Sequence, residues 1–155
     1  MKKFFFDCGT RDGVASFGFL VLRLLVGLMM LIGHGIPKIR SFDAILKKGF
    51  YQPDFIPLSL LPPQINLGLT IGAEAVASAM IILGLMTRPA AFVLGFAMVV
   101  AAFGAGASAP LFFAGGASKE LALLYLIPMV VIILSGAGAF SLDAAILKEG
   151  KRRRW

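Results

Sequence analysis

Residues 23–38 read RLLVGLMMLIGHGIPK. The run is nearly all apolar, yet it opens on Arg23 and closes on His34 and Lys38, and His34 is the only histidine in the chain. Extended back, it covers about residues 14–36, enough for one membrane-spanning helix, which needs roughly 20 predominantly apolar residues. Gly27, Met30, His34 and Lys38 follow Arg23 at spacings of 4, 3, 4 and 4, which is one inward stripe of a helix. A charge at the bilayer centre costs about 3 kcal/mol or more, so a ligand or relay site is the default reading of such a stripe.

The rest of the chain agrees with a membrane reading. Of 155 residues, 59% are hydrophobic and 15% charged, whereas a soluble domain carries about 25% charged residues. Three more apolar segments follow, at about 65–86, 89–107 and 119–134. None alternates with the period of a strand, so the expected fold is all-α, a four-helix transmembrane bundle forming one domain over residues 1–155. In the first loop, SFDAILKKGF (41–50) reads as a short interfacial helix capped by Ser41 and stopped by Gly49. After the fourth segment, a basic amphipathic helix is expected from Ser141.

The net charge of +7 is not a nucleic-acid footprint, because it gathers at the termini and in one loop. With four spans, nine Lys and Arg fall on the side of the termini and five on the other. The richer side is expected in the cytoplasm, which gives a multi-pass protein of a bacterial inner membrane with both termini inside. Arg88, in the turn after the second segment, and Arg152, Arg153 and Arg154 read as contacts to headgroups or to a partner. Asp143 reads as a first-turn carboxylate favoured by the dipole of its own helix.

The cofactor classes narrow quickly. One histidine cannot supply bis-histidine haem, and one cysteine, Cys8, cannot hold an iron–sulfur cluster or form an internal disulfide. A zinc site lacks ligands as well. The ionisable residues inside the spans suggest a pocket opening outward. Arg23 and Glu74, each about nine residues into its segment and so roughly 13 Å deep, are expected to pair as its floor. His34, Lys38 and Glu120 would form the rim, and Tyr125 the wall. The same residues could instead serve only helix register and orientation.

As an ordered set, several motifs resemble the DoxX family of small bacterial four-helix membrane proteins. They are Arg23 early in the first segment, Gly35 with Lys38 at its end, Glu74 in the second, GLMTR (84–88) at the turn, Glu120 opening the fourth, and GAGAFSLD (136–143) after it. The resemblance implies a possible link to membrane redox complexes, with a quinone as candidate ligand and a soluble oxidoreductase or sulfurtransferase as candidate partner. It assigns no reaction, and no catalytic constellation is visible. Two functions follow: an accessory or quinone-interacting subunit of a membrane redox complex, or a non-enzymatic scaffold, chaperone or lipid-binding protein. Oligomerisation is open in both.

Overall fold

The computed structural model describes residues 9–10, 12–54, 56, 58–113, 116 and 118–152, with side chains described as far as Lys148. Within them the chain is helical and without strands. Helix α1 runs Gly13–Arg40, α3 Pro63–Leu83 and α4 Thr87–Ala105, and each is long and apolar enough to cross a membrane. A short helix α2, Phe42–Lys48, lies between α1 and α3. Helix α5, Glu120–Ser135, is apolar but shorter, at 16 residues. Helix α6, Leu142–Arg152, closes the described chain.

Helix α1 continues past residue 36, where the apolar run would end it. It does so through a π-helical turn at Leu31–Gly35. Proline clashes with the preceding turn in α geometry; a wider π turn relieves that, and Pro37 follows it within α1. Two more π turns occur, at Gly72–Val76 in α3 and at Val100–Ala105 ending α4. Helix α3 ends at Leu83 because Gly84 is left-handed, with φ 68°, a conformation glycine adopts without steric cost. Gly49 stops α2 in the same way, at φ 90°, while Ser41 stands at its N-cap without a side-chain hydrogen bond. Ser41 has φ −106° and ψ 20°, not the extended conformation from which a capping oxygen reaches back.

Helix α4 packs most extensively against α5, and α3 against both α1 and α4. Met30, Ile81, Leu94, Met98, Met129 and Ile132 form the buried centre. In a bilayer such packing rests on dispersion and close backbone approach, because the surrounding lipid is as apolar as the core. The outer faces carry exposed Leu25, Met29, Ile32, Phe92, Ile127 and Leu134, an apolar surface far too extensive for water.

The register of α1 against α3 positions everything that follows. A Cβ at Gly35 would meet the backbone of Ala75 at 3.0 Å, and one at Gly27 would meet Ile82 and the Ser78 carbonyl. The π turns of α1 and α3 are therefore in direct contact.

Candidate functional site

That contact brings Lys38 to Glu74. Glu74 sits within the α3 π turn, and Lys38 lies one turn beyond the α1 π turn. Lys38 Nζ donates to Glu74 Oε1 in an ion pair whose glutamate side chain is 6% exposed and whose lysine is 29% exposed. Breaking a buried pair on one side leaves an uncompensated charge at a cost of about 3–5 kcal/mol, so the two residues hold each other in place.

The pair forms one wall of a cavity of about 310 Å³. Its other polar residues are Tyr51, Asn66 and Thr70, and its body is apolar, with Leu69, Val93 and Phe96 among the lining. Asn66, Thr70 and Glu74 are four residues apart, so they form one stripe on α3. The first loop is drawn over this stripe by Asn66, whose Nδ2 donates to Gln52 Oε1 at 2.6 Å and to the Leu58 carbonyl at 2.9 Å. Thr70 Oγ1 donates to the Asn66 carbonyl at 2.9 Å. Tyr51 lies against the π turn ending α4, where a Cβ at Gly104 would come within 2.8 Å of its hydroxyl.

Two buried acceptors at this wall find no partner among the described residues: Glu74 Oε2 and Asn66 Oδ1. Leaving such a group unpaired costs about 1–3 kcal/mol, and more for a charged one. Leu69, Val93 and Phe96 are each about half exposed on the outer, apolar surface while also lining the cavity. The cavity is thus bordered by the face that meets lipid.

The expected pairing of Arg23 with Glu74 is not what forms. Arg23 is fully buried near the other end of the bundle, where Nη2 donates to the Phe140 carbonyl at 2.6 Å and Nη1 to the Ile81 carbonyl at 3.3 Å. The expectation of equal depth starts each helix at a membrane edge. Helix α1 has 28 residues, about 42 Å at 1.5 Å per residue, longer than a ~30 Å core, so its first residue need not mark the membrane edge. Ile81 lies seven residues beyond Glu74, roughly 10 Å farther along α3.

The remaining candidates separate into local groups. His34 meets Tyr125 edge-on, with ring centroids 5.6 Å apart and an interplanar angle of 87°. Glu120 Oε2 accepts from the Phe113 amide at 2.7 Å, closing its own loop. His34, Tyr125, Glu120 and Arg23 do not line the cavity; Lys38 and Glu74 do. Asp143 stands in the first turn of α6, as expected, and it also caps α4: it accepts from the Met86 and Thr87 amides at 2.8 and 2.9 Å and from Thr87 Oγ1 at 2.8 Å. It also acts electrostatically on Arg23. The cap of α6 falls to Ser141, whose Oγ accepts from the Ala144 amide at 3.1 Å. Arg88 Nη2 reaches the Leu134 carbonyl at 3.4 Å. Arg152 ends α6, and Arg153, Arg154 and Cys8 lie outside the described residues.

Asn66, Thr70, Tyr51 and Gln52 escaped the reading of the sequence. The first two had a signal there, the i, i+4, i+8 stripe ending on Glu74. Tyr51 and Gln52 had none, because a loop carries no period. Among the described residues, no group of three or more His, Cys, Asp or Glu could hold a metal ion.

A relative in Haemophilus influenzae, described as an uncharacterized protein, is 35% identical over 130 residues, covering 83% of this chain and 90% of its own. A second uncharacterized protein of the same organism is 30% identical over 99 residues, covering 64% and 65%. No solved structure matches. The family profile for DoxX matches residues 18–107, a span that contains every residue lining the cavity and both partners of its ion pair. The chain belongs to the DoxX family of membrane proteins.

Proposed function

We propose that this protein is a four-span inner-membrane protein, both termini cytoplasmic, that binds a small lipophilic ligand in the cavity between α3, α4 and the first loop. A quinone is the leading ligand class, and the protein then acts as an accessory subunit of a membrane redox complex. The observation that carries this reading is the combination of a buried ion pair with a lipid-bordering apolar chamber. Ligand sites are mostly apolar, with a few converging polar groups. Lys38 and Tyr51 can donate to a carbonyl, and Glu74 can accept a proton. Electrons would have to come from a partner such as a soluble oxidoreductase or sulfurtransferase, since the chain offers few metal ligands.

The fourth span in this reading is α5, about 24 Å long by its rise per residue. Its packing along α4 and its apolar composition support the assignment, and local thinning or flanking residues accommodate the shortfall. The test is direct. Protein purified in lipid nanodiscs is extracted with organic solvent and the extract compared with empty discs by mass spectrometry. A lipophile enriched in wild type and lost in Ala97→Trp, which fills the cavity, supports the reading; the absence of any enriched molecule sinks it.

A further inference from the structure

We infer that the cavity encloses only the head of its ligand, and that the ligand's apolar chain runs out between α3 and α4 and stays in the bilayer. This rests on the reading that the cavity holds a lipophilic ligand, and adds its class: a membrane-resident molecule with one head and one long chain.

Helices α3 and α4 leave their shared turn side by side and then part. Helix α3 packs on α4 closely along Ala77–Leu83, less along Gly72–Val76 and scarcely along Pro63–Ile71. The cavity occupies the wedge that results, with Thr70 and Ala73 on one helix and Ala97 and Ala101 on the other.

The borders of the wedge differ in kind. The first loop roofs it with Phe50, Tyr51, Pro53 and Leu58. That roof is fastened to both helices: Asn66 of α3 donates to Gln52 and to the Leu58 carbonyl, and Tyr51 rests on Gly104 of α4. Another part of the lining consists of Leu69, Val93 and Phe96, which border the cavity and are each about half exposed on the apolar surface. Phe96 is the middle residue of α4, Thr87–Ala105. This opening therefore stands at the hydrocarbon depth of a span and not at its wet end.

Size decides what must pass through the opening. The cavity measures about 310 Å³. A cavity of about 150 Å³ holds one benzene, and ligand pockets run from about 300 to 1,000 Å³. A substituted ring fits here, and a long chain beside it does not. A chain turned toward water would forfeit its apolar transfer free energy at every methylene. One that passes Leu69, Val93 and Phe96 remains among lipid tails and forfeits nothing. The polar end then stays beside Lys38 and Tyr51, the donors of the lining.

The experiment uses the full chain in nanodiscs and three radiolabelled, fully ring-substituted benzoquinones that differ only in one chain: methyl, decyl or octadecyl. Binding above empty discs is expressed against the mole fraction of probe in the lipid. Wild type should bind all three within threefold of one another, because the chain lies in lipid before and after binding. Val93→Trp, which narrows the opening, should weaken the decyl and octadecyl probes at least tenfold and the methyl probe less than threefold. Leu69→Trp repeats the test from α3. Phe92→Trp, on the outer face and outside the lining, should change nothing, and Ala97→Trp should block all three probes. A tenfold or greater fall in wild-type affinity from methyl to octadecyl overturns the chain exit and leaves ligand binding standing. So does an effect of Val93→Trp and Leu69→Trp that is the same for every chain length. No binding of any probe by wild type overturns both readings.

Discussion

Glu74 Oε1 accepts from Lys38 Nζ across the point where the π turns of α1 and α3 touch, with Gly35 against Ala75. The backbone contact and the ion pair depend on each other: the first sets the approach of the helices, and the second holds the charge that the approach buries.

The two single variants of this pair should be unequal. Lys38→Met strands a glutamate whose side chain is 6% exposed, whereas Glu74→Leu strands a lysine that is 29% exposed and can turn toward the surface. We expect about 3 kcal/mol or more lost for Lys38→Met, less for Glu74→Leu, and less for the double variant than the sum. Thermal melting in detergent measures all three. Arg23→Leu combined with Glu74→Leu should simply add, because the two sites share no partner.

Gly35→Val should force α1 off α3. A Cβ there already lies 3.0 Å from the Ala75 backbone, and backbone yields less easily than a side-chain tip. Overpacking of this kind costs about 1–3 kcal/mol. The expected readouts are a lower melting temperature and loss of a disulfide cross-link engineered across α1 and α3.

Asp143 and Thr87 allow a graded test of the cap on α4. Asp143→Ala removes three acceptor contacts and should cost about 2 kcal/mol or more, an upper-range cap loss. Asp143→Asn keeps one oxygen and should cost less. Thr87→Val loses only the hydroxyl bond, worth about 1 kcal/mol. A reversed order in melting experiments would show that the cap is not what Asp143 provides.

Arg23→Lys should not rescue Arg23→Leu fully. The guanidinium forks between the Phe140 and Ile81 carbonyls, which a single ammonium on a shorter reach does not reproduce. Gly84 packs on the same group: a Cβ there would lie 2.1 Å from Nη1 at a φ of 68°. Gly84→Ala should therefore destabilise about as much as Arg23→Lys, by roughly 1–3 kcal/mol, as read by melting in detergent.

Asn66→Leu should release the first loop. It deprives the Gln52 side chain and the Leu58 carbonyl of their donor, at about 1–3 kcal/mol for the groups left unpaired. Limited proteolysis within residues 50–58 should accelerate, while cleavage elsewhere stays unchanged.

The all-helical class and the positions of the apolar helices were legible in the sequence, because hydropathy and the 3.6-residue period act locally and a bilayer admits few alternatives. That Lys38 and Glu74 would be costly to leave unpaired was legible too, since an ionisable residue in an apolar run is costly wherever it sits. Their partnership was not. Which residue of α1 stands opposite Glu74 depends on the relative register of two helices, and that register is set by the packing of Gly35 on Ala75 and Gly27 on Ser78 and Ile82. The same holds for Asp143, whose bonds reach 56 residues back to Thr87, and for Tyr51, carried to the cavity by a loop. Composition and period determined what kind of protein this is; side-chain packing between helices distant in sequence decided which charges meet and where the cavity lies, because no local pattern encodes the offset of one helix against another.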